Sequence, residues 1–346
     1  MTHASRKKVR VLSIDGGGIR GILPGVILRR VEEKLITASN GEIKRIADAF
    51  DLIAGTSTGG ILACAYLIPE KIGSQTPKFT AQQAVDLYLE RGDDIFDVSF
   101  KQKLKSLGGV IDEKYGADEL EDALKDNFGD TKLKDLLKPC IITSYDIRNR
   151  NAFFFRKQRA NDKENNFLVR DVARATSAAP TYFETARVKN DLGSPFPLID
   201  GGVFVNNPAL CAYSEARNLN FPERGINKPT AKDMVIVSIG TGSIKKSYEY
   251  KKAKNWGLVE WIQPIIDIMM SGNSETVDYH LKQIYDTLPT SDKTDYYRLE
   301  PQLGTASSDM DDASVENLKA LEAAGQDFVQ DDENDKTLTE IVNKLL

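Results

Sequence analysis

The chain has 346 residues, 41% hydrophobic and 28% charged, with a formal net charge of −5. That composition fits a soluble enzyme, and the acidic balance argues against general nucleic-acid binding. No apolar run reaches the roughly eighteen residues that a bilayer-spanning helix needs, so none is predicted.

The predicted elements begin after a short polar, basic stretch, Met1 to Lys8, read as a flexible tail. It enters the first strand with no apolar segment before it, so no secretion signal is expected. Val9–Ile14 alternates like a strand and runs into Asp15-Gly16-Gly17-Gly18-Ile19-Arg20-Gly21, followed by a helical pattern from Ile22 to about Leu35. Three successive glycines at a strand end leave their backbone N–H groups unobstructed, and such a turn binds an anion through amides alone. The same letters satisfy G-x-G-x-x-G at Gly16, Gly18 and Gly21, which makes a nucleotide- or phosphate-binding α/β module the rival reading. That reading demands an acid at the end of the next strand. Glu42 lies in a polar stretch, and Asp51 stands near the start of the next strand-like run.

That run, Phe50–Ala54, leads into Gly55-Thr56-Ser57-Thr58-Gly59 and then a helix-like stretch, Ile61 to Leu67. The five residues fit the G-x-S-x-G of a nucleophile elbow. A nucleophile on a sharp strand-to-helix turn needs glycine two positions before and after it, because strand and helix pass very close. The hydroxyl then points out of the sheet near the amide-rich end of the helix. The competing reading is an ordinary turn in which Ser57 caps the helix.

Further along, strand-like runs appear at Pro139–Ser144, Ala152–Phe155, Leu198–Ile199 and Met234–Ile239, with helical patterns at Ala81–Arg91, Ala117–Phe128 and Asn207–Leu219. This alternation predicts an α/β fold with a largely parallel central sheet flanked by helices. Val315–Leu346 reads as a helical extension, and the acidic cluster Asp331 to Lys336 as a solvated loop. The three cysteines, Cys64, Cys140 and Cys211, lie in apolar segments and read as reduced thiols. Together with the absence of a signal or membrane span, they predict a cytoplasmic protein.

A base for Ser57 is sought by elimination. The two histidines are His3, in the tail, and His280, in a polar helical segment where an exposed ring is expected. A carboxylate then activates the serine directly, and the best candidate is Asp200. It sits between the apolar Phe196–Ile199 and Gly201-Gly202, at the strand end where catalytic groups of open α/β sheets gather. The competing reading is a plain Asp-Gly turn. A carboxylate in water is a poor base, but partial burial raises its pKa. Without an imidazole, the acid limb of the pH–rate profile is expected to report a carboxylate and not a group near 6.5.

Together, Asp15-Gly-Gly-Gly-Ile-Arg-Gly21, Gly55-Thr-Ser-Thr-Gly59 and Asp200-Gly-Gly202 resemble the patatin-like phospholipases, whose relatives include plant patatins and cytosolic phospholipase A2. Ser177–Phe183, Ser238–Gly242, Tyr297–Leu299 and Met310–Ser314 resemble later blocks of the plant patatins, so the likeness runs along most of the chain. The resemblance implies a three-layer sandwich, with residues 9–312 as catalytic domain and 313–346 as its extension. It implies a Ser57–Asp200 dyad, an oxyanion hole at Gly16, Gly17 and Gly18, and supporting roles for Arg20, Gly55, Gly59, Gly201 and Gly202. The implied activity is hydrolysis of fatty-acyl esters of membrane lipids, phospholipase A-type with lysophospholipase or galactolipase activity beside it. No metal or organic cofactor is implied. Some bacterial members act in antiphage defence and are switched on by a cyclic nucleotide, but no residue pattern here is assigned to such a ligand.

A lipid enzyme must reach its substrate by transient contact at the membrane surface. Two segments are candidates: Asp97–Tyr115 as a mobile flap, and the lysine cluster Lys245–Lys254 ahead of Trp256 and Trp261. The competing readings are a solvated loop and a helix packing its tryptophans inward.

Overall fold

The computed structural model of the chain describes residues 7–96, 118–243 and 248–346. The tail up to residue 6, the candidate flap, and Lys245 and Lys246 lie outside the described residues.

Eight strands form one mixed, mostly parallel sheet in the order β10-β9-β1-β2-β3-β6-β5, with β4 beside β3. They are β1 (Val9–Ile14), β2 (Leu52–Thr56), β3 (Cys140–Asp146), β4 (Asn151–Phe155), β5 (Ala186–Lys189), β6 (Pro195–Asp200), β9 (Met234–Ile239) and β10 (Tyr296–Leu299). Two-residue strands β7 (Asn220–Phe221) and β8 (Ile226–Asn227) pair separately. The pairs β10/β9, β9/β1, β1/β2 and β2/β3 are parallel, while β3/β4, β3/β6 and β6/β5 are antiparallel.

The longer helices are α1 (Ile22–Ala38), α2 (Thr58–Leu67), α3 (Ala81–Phe96), α4 (Asp118–Phe128), α5 (Val169–Thr176), α6 (Ala209–Ala216), α7 (Leu258–Asp286), α8 (Val315–Gln330) and α9 (Asp332–Leu345). The parallel strands are apolar on both faces because helices cover both. Alternation along β1 and β9 splits the interior in two. Leu12, Ile14, Val235 and Val237 meet residues of α1, α2, α8 and α9 in one core. Val9, Val11, Met234 and Ile236 meet α6 and the C-terminal half of α7 in the other. The outcome is the expected α/β architecture.

Strand ends differ from the sequence reading. β2 starts two residues later than expected and extends to Thr56, because Thr56 still pairs with Thr143 of β3. β6 is longer than its apolar pair suggests, since it is held on both edges. Asp331–Lys336 is no loop. Asp331 caps α9, accepting from the Glu333 and Asn334 amides at 3.1 and 3.0 Å. Acidic residues favour a helix N-terminus, where the dipole is positive.

Register explains how distant sequence blocks meet. β4 occupies one edge of β3 from Ile142 to Asp146, so β2 and β6 share the other edge. β2 ends with Thr56 opposite Thr143, and β6 arrives antiparallel with Asp200 opposite the next residue, Ser144. The two strands therefore terminate head to head.

Candidate active site

Ser57 stands between β2 and α2 with φ 55° and ψ −125°. A non-glycine residue with such a φ is strained, and strain of this kind is held only where the surroundings enforce it. The enforcement is visible. A Cβ on Gly55 would sit 2.2 Å from the Gly59 carbonyl oxygen, and one on Gly59 would sit 2.2 Å from the Ile14 oxygen. Strand, turn and helix are in backbone contact, which only glycine permits. The Ser57 amide donates to Thr176 Oγ1 at 2.9 Å, tying the elbow to the end of α5.

The head-to-head strands bring Asp200 to the Ser57 side chain, which pulls the carboxyl pKa down. The carboxylate accepts from the Gly202 amide at 2.6 Å, and the Asp200 amide donates to the Ala178 carbonyl at 3.0 Å. Gly201 lies flat on β3, where a Cβ would meet Thr143 Oγ1 at 2.0 Å. Both side chains are buried, Ser57 at 8% and Asp200 at 4% exposure. Burial outweighs the pull of Ser57 and of the Gly202 amide and pushes the Asp200 pKa up to about 7. At that value a carboxylate is a competent acceptor for a hydroxyl proton near neutral pH.

The glycine loop lies alongside, since a Cβ on Gly16 would come 3.2 Å from that of Ser57. Its three amides are not equivalent. Gly16 N–H donates to the Asn206 carbonyl at 3.1 Å, so Gly16 departs from the three-amide hole expected above. It anchors the loop instead. Among the described residues no protein acceptor faces the Gly17 and Gly18 amides. Arg20 is buried, and its Nε donates to the Gly17 carbonyl at 3.3 Å, which orients that peptide. Burial lowers the Arg20 pKa.

Several positioning residues carry no local signature in the sequence. Thr241 Oγ1 donates to the Gly16 carbonyl at 2.6 Å. Asn273, midway along α7, accepts from the Asn206 and Asn207 amides at 2.8 and 3.3 Å and donates to the Phe204 carbonyl at 3.0 Å. Asp15, under the loop, accepts from Arg298 Nη2 at 2.7 Å, and the same guanidinium bonds Glu300. Burial pushes Asp15 upward against the pull of Arg298. Burial also opposes the charge on Arg298, but Asp15 and Glu300 overcome it and hold the group protonated.

The remaining candidates fall elsewhere. His280 is exposed on α7, with its ring 5.7 Å from Tyr279. Asp51 precedes β2, at the end remote from Ser57, paired with Arg10 and Arg224. It is thus not placed as the acid of a dinucleotide site. Cys64, Cys140 and Cys211 are free thiols. No described helix is long and apolar enough to cross a membrane.

The chain is similar to known proteins. The family model for "Patatin-like phospholipase" matches residues 12–213, a span containing both Ser57 and Asp200. The chain is 36% identical to "Patatin-like protein 1" of Arabidopsis thaliana, covering 92% of this chain and 80% of that protein. It is 31% identical to "Probable inactive patatin-3-Kuras 1" of Solanum tuberosum, covering 93% and 86%. Among solved structures, VipD from Legionella pneumophila aligns with a TM-score of 0.46 and 12% identity, covering 97% of this chain and 67% of that one. On the family match and the identity to plant relatives, the chain belongs to the patatin-like phospholipase family.

Proposed function

We propose that the protein hydrolyses fatty-acyl esters of membrane lipids, with Ser57 as nucleophile and Asp200 as base. Ser57 Oγ attacks the ester carbonyl carbon while its proton passes to Asp200. The Gly17 and Gly18 amides donate to the resulting oxyanion, and preorganised donors of this kind supply much of the rate in acyl transfer. Collapse breaks the ester bond. The departing alcohol, a lysolipid when the substrate is a phospholipid, takes the proton back from Asp200. Water then attacks the acyl-enzyme with Asp200 again as base, releasing fatty acid and free Ser57.

The observation that carries this reading is the meeting of two strand ends that buries Ser57 beside a carboxylate raised to about 7. The strained elbow and the Gly17 and Gly18 amides, which no described protein acceptor engages, support it. Family membership alone does not, since one relative bears the name "Probable inactive". The test is fatty-acid release from phosphatidylcholine and from a short-chain ester. Wild type should be active, while folded Ser57→Ala and Asp200→Asn should each lose about three orders of magnitude or more in kcat/KM, the scale of triad deletions. Unchanged rates in either variant would refute the dyad.

A further inference from the structure

Helix α7 changes character along its length. Its C-terminal half buries Val277, Leu281 and Tyr285 against the sheet. Its N-terminal half presents Trp261, Ile265, Ile268 and Met269 to solvent, each between 39% and 49% exposed. None of the four joins either apolar core. Their spacing places them on one face of the helix. A contiguous exposed apolar face marks a surface that something else covers.

Two observations say what covers it. The first is charge. Residues 245–261 hold five lysines against two glutamates, in a chain of net charge −5, and Lys251, Lys252 and Lys254 are exposed. Exposed lysines shortly ahead in the chain of an apolar stripe that includes an indole suit anionic headgroups above acyl chains. The second is continuity with the site. Met269 lies one turn before Asn273, whose side chain holds the segment following Asp200. The stripe is also braced. Trp261 packs edge-on against Trp256, and Trp256 against Tyr248, whose hydroxyl donates to Asp267 of the same helix at 3.0 Å.

We infer that this face of α7, with Lys251, Lys252 and Lys254, docks on an anionic lipid bilayer and holds the Ser57 site against it. The inference deepens the proposed lipid-hydrolase reading and rests on it only for the nature of the substrate. The docking test therefore uses Ser57→Ala protein, in which catalysis plays no part. Cosedimentation is measured with vesicles of phosphatidylcholine alone and with roughly one-third phosphatidylglycerol, while tryptophan fluorescence follows Trp256 and Trp261 together. Binding to the anionic vesicles with a blue shift is expected. The triple change Ile265→Ser, Ile268→Ser, Met269→Ser should weaken it about tenfold or more. Lys251→Glu, Lys252→Glu, Lys254→Glu should abolish the preference for anionic lipid. With Ser57 restored, both variants should cleave a dissolved short-chain ester at the wild-type rate and lose activity on vesicles. Unaltered vesicle binding by either variant would overturn the inference. So would a wild-type dimer without vesicle affinity that the triple serine variant converts to monomer, because the face would then join two copies of the chain. Esterase inactivity of the wild type alongside lipid binding that the variants lose would refute the catalytic reading and leave docking standing.

Discussion

Ser57 pays a conformational cost for its position. Its φ of 55° belongs to a region that costs a non-glycine residue on the order of 1–3 kcal/mol. Glycine carries no such penalty, so Ser57→Gly should unfold at a higher temperature than Ser57→Ala, by about 1 kcal/mol in stability, with both inactive. Equal melting of the two would mean that the elbow is not strained. Asp200 gives a second prediction. Its pKa rises from 3.8 to about 7 on folding, so the native state binds the proton more tightly than the unfolded chain. Stability contributed by the protonated form is then lost as pH rises from about 4 to 7, by an amount on the order of a few kcal/mol. In Asp200→Asn that decline should shrink, which denaturant titrations at several pH values will read. Activity has the opposite sign, because the base must be ionised, and should rise with pH to a plateau above about 7. Burial thus moves the carboxylate into the range of histidine, so the position of the acid limb does not separate the two. His280→Gln does: it should leave the limb unchanged.

At the scale of elements, the motifs were legible because their causes are local. Gly55 is dictated by the crossing of β2 and α2 and Gly59 by the approach of α2 to the end of β1, and both glycines fall within five consecutive letters. Ala at either position places a Cβ about 2.2 Å from a backbone oxygen. Each should cost several kcal/mol, as severe steric substitutions do, and lower the melting temperature steeply. Gly272, exposed within α7 with open space around its Cβ position, should behave oppositely. Gly272→Ala is expected to stabilise by up to about 1 kcal/mol through helix propensity. Less was legible where the cause is distant. Thr176 meets Ser57 across 119 positions, and Asn273 reaches Asn206 across 67. A lone threonine or asparagine carries no spacing signal. β5 and β10 were missed as strands because Arg187 and Lys189 in the one and Arg298 in the other interrupt their short apolar runs. The three-glycine loop was legible as a turn at the end of β1, but only tertiary packing reveals that Gly16 is committed to Asn206.

For the whole molecule, the alternation of apolar runs was enough to foresee a parallel sheet covered on both faces, but not its order. That order does the assembling: β3 accepts β2 and β6 on one edge, which brings residues 57 and 200 together. The far edge contributes too, since Arg298 of β10 reaches across to Asp15 below the glycine loop. Arg298→Leu leaves Asp15 buried without its cation, and breaking a buried pair in this way costs about 3–5 kcal/mol. Adding Asp15→Asn should recover part of that loss in chemical denaturation. Full additivity of the two changes would show that the pair is not coupled.

The central claim is that one serine, activated by one carboxylate, is the nucleophile. Intact-mass and peptide mass spectrometry after treatment with a fluorophosphonate tests it most directly. Wild type should acquire a single adduct on the peptide containing Ser57, Ser57→Ala none, and Asp200→Asn the same adduct far more slowly. An adduct at another residue, or equally fast labelling without the Asp200 carboxylate, would contradict the account.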